Sequence, residues 1–148
     1  MLYYLIYVSK ALKLMNDEEL AKILTQSRSW NSRVKITGML LYIKGPTIDG
    51  VNGNFIQVLE GEEHDINDLF KKIKDDERHY DVIKLIESVR EKRHFQNWQM
   101  GFKPLNKKEF TNSAGYFQIE DLYSFKSSHK DFNIPLNYLK SFYTLYFN

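Results

Sequence analysis

Cysteine is absent from the 148 residues. That absence removes disulfides, thiolate metal sites, iron–sulfur clusters and cysteine nucleophiles together, and it fits a reducing compartment. Neither sign of charge dominates. With 21 basic and 19 acidic residues the net charge is +2, which gives no electrostatic footprint for nucleic acid. No apolar run approaches the ~18 residues of a membrane span. The opening Met1–Val8 is apolar but short. It lacks a basic flank and a small-residue cleavage site, so it does not read as a signal peptide, and the chain is expected to be cytoplasmic. There is no P-loop, no H-E-x-x-H and no G-x-S-x-G. The four histidines, His64, His79, His94 and His129, include no i, i+4 pair, so no metal site is expected. Repeats and low-complexity segments are lacking too.

What is present is an ordinary globular composition, 43% hydrophobic and 27% charged, in a length that suits one domain. Leu2–Val8, with β-branched Ile6 and Val8, predicts a buried strand. Asn16 or Asp17 can cap a helix whose first turn carries Glu18 and Glu19, and Leu20, Ile23 and Leu24 form its apolar face. Lys35–Ile43 predicts a second strand. Lys44–Asn54, with three glycines and one proline, predicts a loop. Phe55–Glu60 predicts a third strand ended by Gly61. Ile66, Leu69, Phe70 and Ile73 mark a second amphipathic helix. Asp81–Arg90 and Phe95–Phe102 predict two more strands, the last stopped by Pro104.

The order β-α-β-β-α-β-β contains two split β-α-β units. It predicts an α+β, ferredoxin-like sheet with two helices on one face and the first and third strands side by side in the middle. From Leu105 onward the character changes: 44 residues hold eleven of the 22 aromatics. Helices are expected around Ile119–Phe125 and Pro135–Phe147, covering the other face of the sheet. The division is therefore residues 1–104 as the ligand-binding domain and 105–148 as a C-terminal helical cap of the same unit.

Two strand positions are chemically odd. Gln57 lies among Phe55, Ile56, Val58 and Leu59, and alternation puts it on the face of Phe55 and Leu59. Leaving a buried amide unpaired costs about 1–3 kcal/mol. Tyr7 is on the strand expected next to it, so phenol and amide can meet if they share a face. Satisfying each other or reaching water would be explanation enough. Trp98 and Met100 share one face of the last strand, where core packing is the simplest role.

The chain resembles the BLUF family of FAD-dependent blue-light sensors. The resemblance covers about Met1 to Phe102. It rests on Tyr7-Val8-Ser9, Ile23-Leu24 with Ser27-Arg28, Asn31, Ile36-Thr37-Gly38, Phe55-Ile56-Gln57-Val58-Leu59-Glu60-Gly61, Asp76-Glu77-Arg78-His79 and Trp98-Gln99-Met100, in order and at compatible spacing. It implies FAD held non-covalently between the two helices. Ile23 and Ile73 would flank the ring, Asn31 would hydrogen-bond its polar edge, and Gln57 would sit between ring and Tyr7. Ser27 would join the binding set, while Lys72, Asp76, Arg78 and His79 would lie toward ribose and diphosphate. Trp98 and Met100 would tune the signal.

Two positions in the site depart from the family. Lys72 stands where arginine is frequent, losing the bidentate fork. Trp30 stands where a smaller polar residue or histidine is common, and either covers or restricts the ring edge. The 44–54 loop is also long for the family.

The chemistry implied is a photosensor and not an enzyme. Tyr7 gives up an electron and a proton, and the Gln57 amide turns over or changes tautomer. With about 44 residues after the core, the resemblance is to a short stand-alone member that signals to a partner protein by contact. A homo-oligomer through the aromatic tail is expected, with no nucleic-acid or membrane partner. The competing readings are an acylphosphatase-type hydrolase, which the glycine-free Lys10-Ala11-Leu12-Lys13 argues against, and a ligand-free interaction module, which leaves Gln57 and Asn31 without a purpose.

Overall fold

The computed structural model describes residues 2–47, 50–95 and 101–106. The elements run β1 (Leu2–Ala11), α1 (Asp17–Val34), β2 (Thr37–Thr47), β3 (Gly50–Gly61), α2 (Glu63–Lys74), β4 (His79–Arg90) and β5 (Gly101–Asn106). The sheet order is β4-β1-β3-β2-β5. β1 is antiparallel to both β3 and β4, β2 is antiparallel to β3, and β5 joins β2 in parallel. This is the ferredoxin-like arrangement, with β1 and β3 at its centre.

Local chemistry sets the ends of α1. Asn16 is the N-cap: its Oδ1 accepts from Glu19 N at 2.8 Å, and Glu19 Oε1 accepts from Asn16 N at 3.3 Å, a reciprocal capping box. Asp17, Glu18 and Glu19 place negative charge at the positive end of the helix dipole. The helix closes at Lys35, in the left-handed region at φ 56°, so β2 starts at Thr37 and not at Lys35.

Both faces of the sheet are buried, which is why Leu2–Val8 reads as an unbroken apolar run and not as an alternation. Tyr3, Leu5 and Tyr7 of β1, Leu40 and Tyr42 of β2, and Phe55 and Leu59 of β3 pack with Leu20, Ile23, Ile66 and Phe70, so both helices lie on this one face. Ile6, Val8, Met39, Leu41, Ile56 and Val58 are buried on the other. The C-terminal helices expected after Leu105 lie outside the described residues.

Four boundary expectations are corrected. The expected 44–54 loop is largely sheet: β2 and β3 continue as an antiparallel ribbon, pairing Lys44 with Gly53, Gly45 with Asn52 and Thr47 with Gly50. Gly53 is there for space, because a Cβ would collide with the Tyr42 ring. Pro104 does not stop the last strand, since β5 runs to Asn106 with Pro104 opposite Tyr42. β5 is an edge strand, and an edge tolerates a missing N–H. Phe95 is not in a strand, β5 is described over Gly101–Asn106, and β4 begins two residues early, at His79.

Glu60, at the end of β3, is fully buried on the face away from the helices. Its carboxyl group accepts from Thr37 Oγ1 (2.8 Å), His94 N (2.9 Å) and Phe95 N (2.6 Å), with Arg90 Nη1 at 4.0 Å. One side chain thus ties β3 to β2 and to the segment after β4. Glu60→Ala strands these donors in the interior and is expected to cost about 3–5 kcal/mol, read as a lower urea midpoint for unfolding.

Candidate functional site

A cavity of about 260 Å³ opens between α1 and α2, over the helix-facing side of the central strands. Its apolar walls are Ile23 from α1, Leu69 and Ile73 from α2, and Leu40 and Phe55 from the sheet. Tyr7, Gln57, Asn31, Ser27, Gln26 and Trp30 add polar groups, and Lys72, Asp76, Arg78 and His79 add charge or titratable groups. The ten residues expected to contact a cofactor, Tyr7, Ile23, Ser27, Asn31, Gln57, Lys72, Ile73, Asp76, Arg78 and His79, all line this one space. Trp98 and Met100 lie outside the described residues.

The floor of the cavity follows from strand register. Gln57 pairs with Tyr7 on one side and with Leu40 on the other, so all three project to the same face. Tyr7 Oη donates to Gln57 Oε1, and both residues are 4% exposed. Burial, with a smaller contribution from the Asp76 charge, pushes the Tyr7 phenol well above its ordinary range. It therefore holds its proton at any physiological pH. β4 departs from regular pairing on both sides of Tyr7, between Ile6 and Tyr7 and between Val8 and Lys10, with Asp81 at φ 51° beside the second irregularity. Such bulges re-aim side chains next to functional sites.

His79 joins two walls. Its Nε2 faces the Ile73 carbonyl, which can only accept, so Nε2 carries a proton, and Nδ1 lies 2.8 Å from the buried Ser9 Oγ in a second hydrogen bond. The ring thereby links the end of α2 to β1, two residues from Tyr7. Asp76 and Arg78 form a forked pair, with Arg78 Nε 2.9 Å from Oδ1 and the Arg78 backbone N–H 2.9 Å from the same oxygen. The Arg78 side-chain hydrogen bonds hold the Asp76 carboxyl below the usual carboxylate range. A lowered folded pKa gives stability that is present above the unfolded value near pH ~4 and is lost as pH falls through the folded value. The stability advantage of the natural chain over Asp76→Asn should therefore be constant near neutrality and shrink below pH ~4, as read by urea unfolding across pH.

Gln26, Leu40, Phe55 and Leu69 line the cavity as well and are not among the expected site residues. Phe55 and Leu69 carried a usable signal, the first two residues from Gln57 on its face and the second four residues from Ile73 on its helix. Leu40 required the β2–β3 register. Trp30 lines the cavity with a buried Nε1 that has no acceptor among the described residues, and Lys72 Nζ sits 3.1 Å from its ring centroid.

The β1–α1 loop is not a phosphate cradle. Leu12 N donates to the Arg78 carbonyl at 2.9 Å and Met15 N to Tyr42 Oη at 3.0 Å, so these donors are spent inside the protein. Among the described residues no helix is long and apolar enough to cross a membrane.

Known proteins share this arrangement. The chain is 33% identical over 97 residues to photoactivated adenylate cyclase subunit beta of Euglena longa, covering 65% of this chain and 10% of that protein. It is 38% identical over 79 residues to photoactivated adenylate cyclase subunit alpha of Euglena gracilis, covering 53% of this chain and 7% of that one. It thus spans a tenth or less of these relatives' length. Among solved structures, the BLUF protein BlrB in its dark state aligns at 27% identity with a TM-score of 0.67, over 95% of this chain and 96% of that one. BlsA in its photo-activated state aligns at 28% identity with a TM-score of 0.71, over 95% of each chain. A bacterial light-regulated adenylyl cyclase aligns at 27% identity with a TM-score of 0.63, over 99% of this chain but 35% of its own. The family described as sensors of blue-light using FAD matches residues 2–101, from β1 to the first residue of β5, and so the chain belongs to the BLUF family.

Proposed function

We propose that the cavity between α1 and α2 binds FAD non-covalently and that Tyr7 and Gln57 convert blue light into a lasting change of hydrogen bonding. The observation that carries this reading is the hydrogen bond from Tyr7 Oη to Gln57 Oε1, made by two buried side chains on neighbouring strands and open to the cavity. The cavity's lining suits a flat heteroaromatic ring: apolar side chains from both helices and the sheet, a few amides, and a buried indole N–H still needing an acceptor. Ile23 and Ile73 would hold the ring faces, and Asn31, buried at 1% exposure, its polar edge. Ser27, Lys72, Asp76, Arg78 and His79 would complete the binding set.

Bound flavin supplies a blue-absorbing group that becomes a strong oxidant when excited. Tyr7 supplies the electron. Burial and the Asp76 charge both oppose loss of the proton first, as phenolate, so the electron would go to the excited flavin and the strongly acidic oxidised phenol would then release its proton; return of the electron would leave only the hydrogen bonds changed. Gln57 Oε1, already accepting that proton in a hydrogen bond, is the group through which it moves. A Gln57 amide that has turned over or changed tautomer presents a different donor to the cavity, and this altered pattern is the stored signal. The Glu60 contacts to the segment after β4 give β3 a mechanical route to the far side of the sheet.

The signal passes to a partner protein by contact; in the cyclase relatives a catalytic portion lies in the same molecule. The acylphosphatase alternative loses support from the spent donors of the β1–α1 loop. Binding is tested by expressing the chain with added flavin, purifying it, denaturing it and measuring what is released. About one FAD per chain is expected; no released flavin would overturn the reading.

A further inference from the structure

Two residues from opposite walls of the cavity touch each other. Trp30 lies near the end of α1, Lys72 lies in the last turn of α2, and both line the cavity. Lys72 Nζ stands 3.1 Å from the Trp30 ring centroid, well inside the ~6 Å reach of a cation–π contact. The contact therefore crosses the cleft from one helix to the other. Lys72 is exposed and Trp30 half-buried, which puts the pair where cavity meets solvent. The indole is oriented so that Nε1 is buried with no acceptor among the described residues. An arginine at position 72 would bring a fork suited to phosphate, whereas lysine brings a compact charge suited to a ring face. The other strong cation of the site, Arg78, is committed to Asp76.

We infer that Trp30 and Lys72 form a clasp across the cleft that sets how long a bound flavin stays. The inference rests on the proposal that flavin occupies this cavity. The contact bridges the two helices that wall the cavity, so a ligand held between them leaves more easily when the cleft widens. Widening parts the ammonium from the indole. The bridging contact needs both residues: without Lys72 the ring can swing, and without Trp30 the ammonium loses its contact across the cleft. The two substitutions must therefore be non-additive.

The test follows riboflavin leaving the loaded chain, trapped by excess riboflavin-binding protein and read by fluorescence. Riboflavin has no phosphate, so a phosphate contact by Lys72 plays no part. Lys72→Met is expected to speed departure about threefold, equivalent to about 0.7 kcal/mol for an exposed cation–π contact, and Trp30→Leu at least as much. The double variant should be no faster than Trp30→Leu alone, and Trp30→Phe should fall between it and the natural chain. A double variant that departs faster by the product of the two single factors would overturn the clasp. So would Lys72→Met leaving riboflavin unaffected while speeding FAD, which would make Lys72 a phosphate contact only. A double-mutant cycle on urea unfolding of the ligand-free chains separates the clasp from the flavin reading. Coupling there with uptake of neither riboflavin nor FAD by the natural chain overturns the flavin reading and the clasp's role with it. Bound riboflavin whose departure shows no coupling overturns the clasp alone.

Discussion

Tyr7→Phe is expected to fold, to bind flavin, and to show no lasting red-shifted state under blue light. The substitution removes one oxygen from a side chain 4% exposed and leaves the ring packed against Phe70, 5.6 Å between centroids. The loss is the hydrogen bond to Gln57, a net cost of about 1 kcal/mol, too small to unfold a domain of this size. The functional loss should be complete, because phenylalanine has neither the proton nor the low oxidation potential of a phenol. His79 cannot stand in: its Nε2 is held by the Ile73 carbonyl and its Nδ1 by Ser9. Difference spectra with flavin content measured in parallel check this; a normal photoproduct in flavin-loaded Tyr7→Phe would remove the phenol from the mechanism.

Gln57→Leu should lose the photoproduct by a different route and also alter the dark state. Leucine nearly conserves volume, so the apolar surround of Leu40, Phe55 and Leu59 is expected to accept it at little cost. The Tyr7 hydroxyl, however, loses its acceptor, and the cavity loses an amide. Tyr7 can still give up an electron, but nothing remains to hold the rearranged hydrogen bonds, so any change should decay without a stable red shift. The dark absorption of bound flavin should move as well, because the amide beside it is gone. Tyr7→Phe keeps that amide and should move the dark spectrum less. A Gln57→Leu protein whose dark and light spectra match the natural chain would show that the amide is not the switch.

Much of the sheet was legible because its signals are local. The unbroken apolar runs of β1 and β3 marked strands buried on both faces, and the helical spacing of Ile66, Leu69, Phe70 and Ile73 marked α2. The Asn16 capping box was present as Asn followed three residues later by Glu. The β2–β3 ribbon was not legible: its glycines and proline match a loop, and what keeps them in strand is the partner strand and the space Gly53 leaves for Tyr42. Pro104 fails as a stop signal for a similar reason, since only the sheet order shows that its strand is an edge.

The site divides the same way. Gln57 and Tyr7 stood out as polar groups in apolar strands, and the register brings them together. The ligand-binding roles proposed for Asn31, Ser27, Lys72, Asp76 and Arg78 rest on family resemblance, because nothing in spacing alone gathers them around one cavity. The Glu60 hub was invisible, since its donors Thr37, His94 and Phe95 are far away in sequence. The meeting of Trp30 and Lys72 was hidden in the same way, by the fold that sets two helices side by side.

The light-minus-dark absorption spectrum of the natural chain, purified with bound flavin, tests the central claim most directly. The Tyr7–Gln57 arrangement predicts a small red shift of the flavin band under blue light, with no bleaching, that reverses fully in the dark and can be repeated on the same sample. Flavin bound at one per chain with a spectrum that stays fixed under blue light, or that bleaches and does not return, would contradict it.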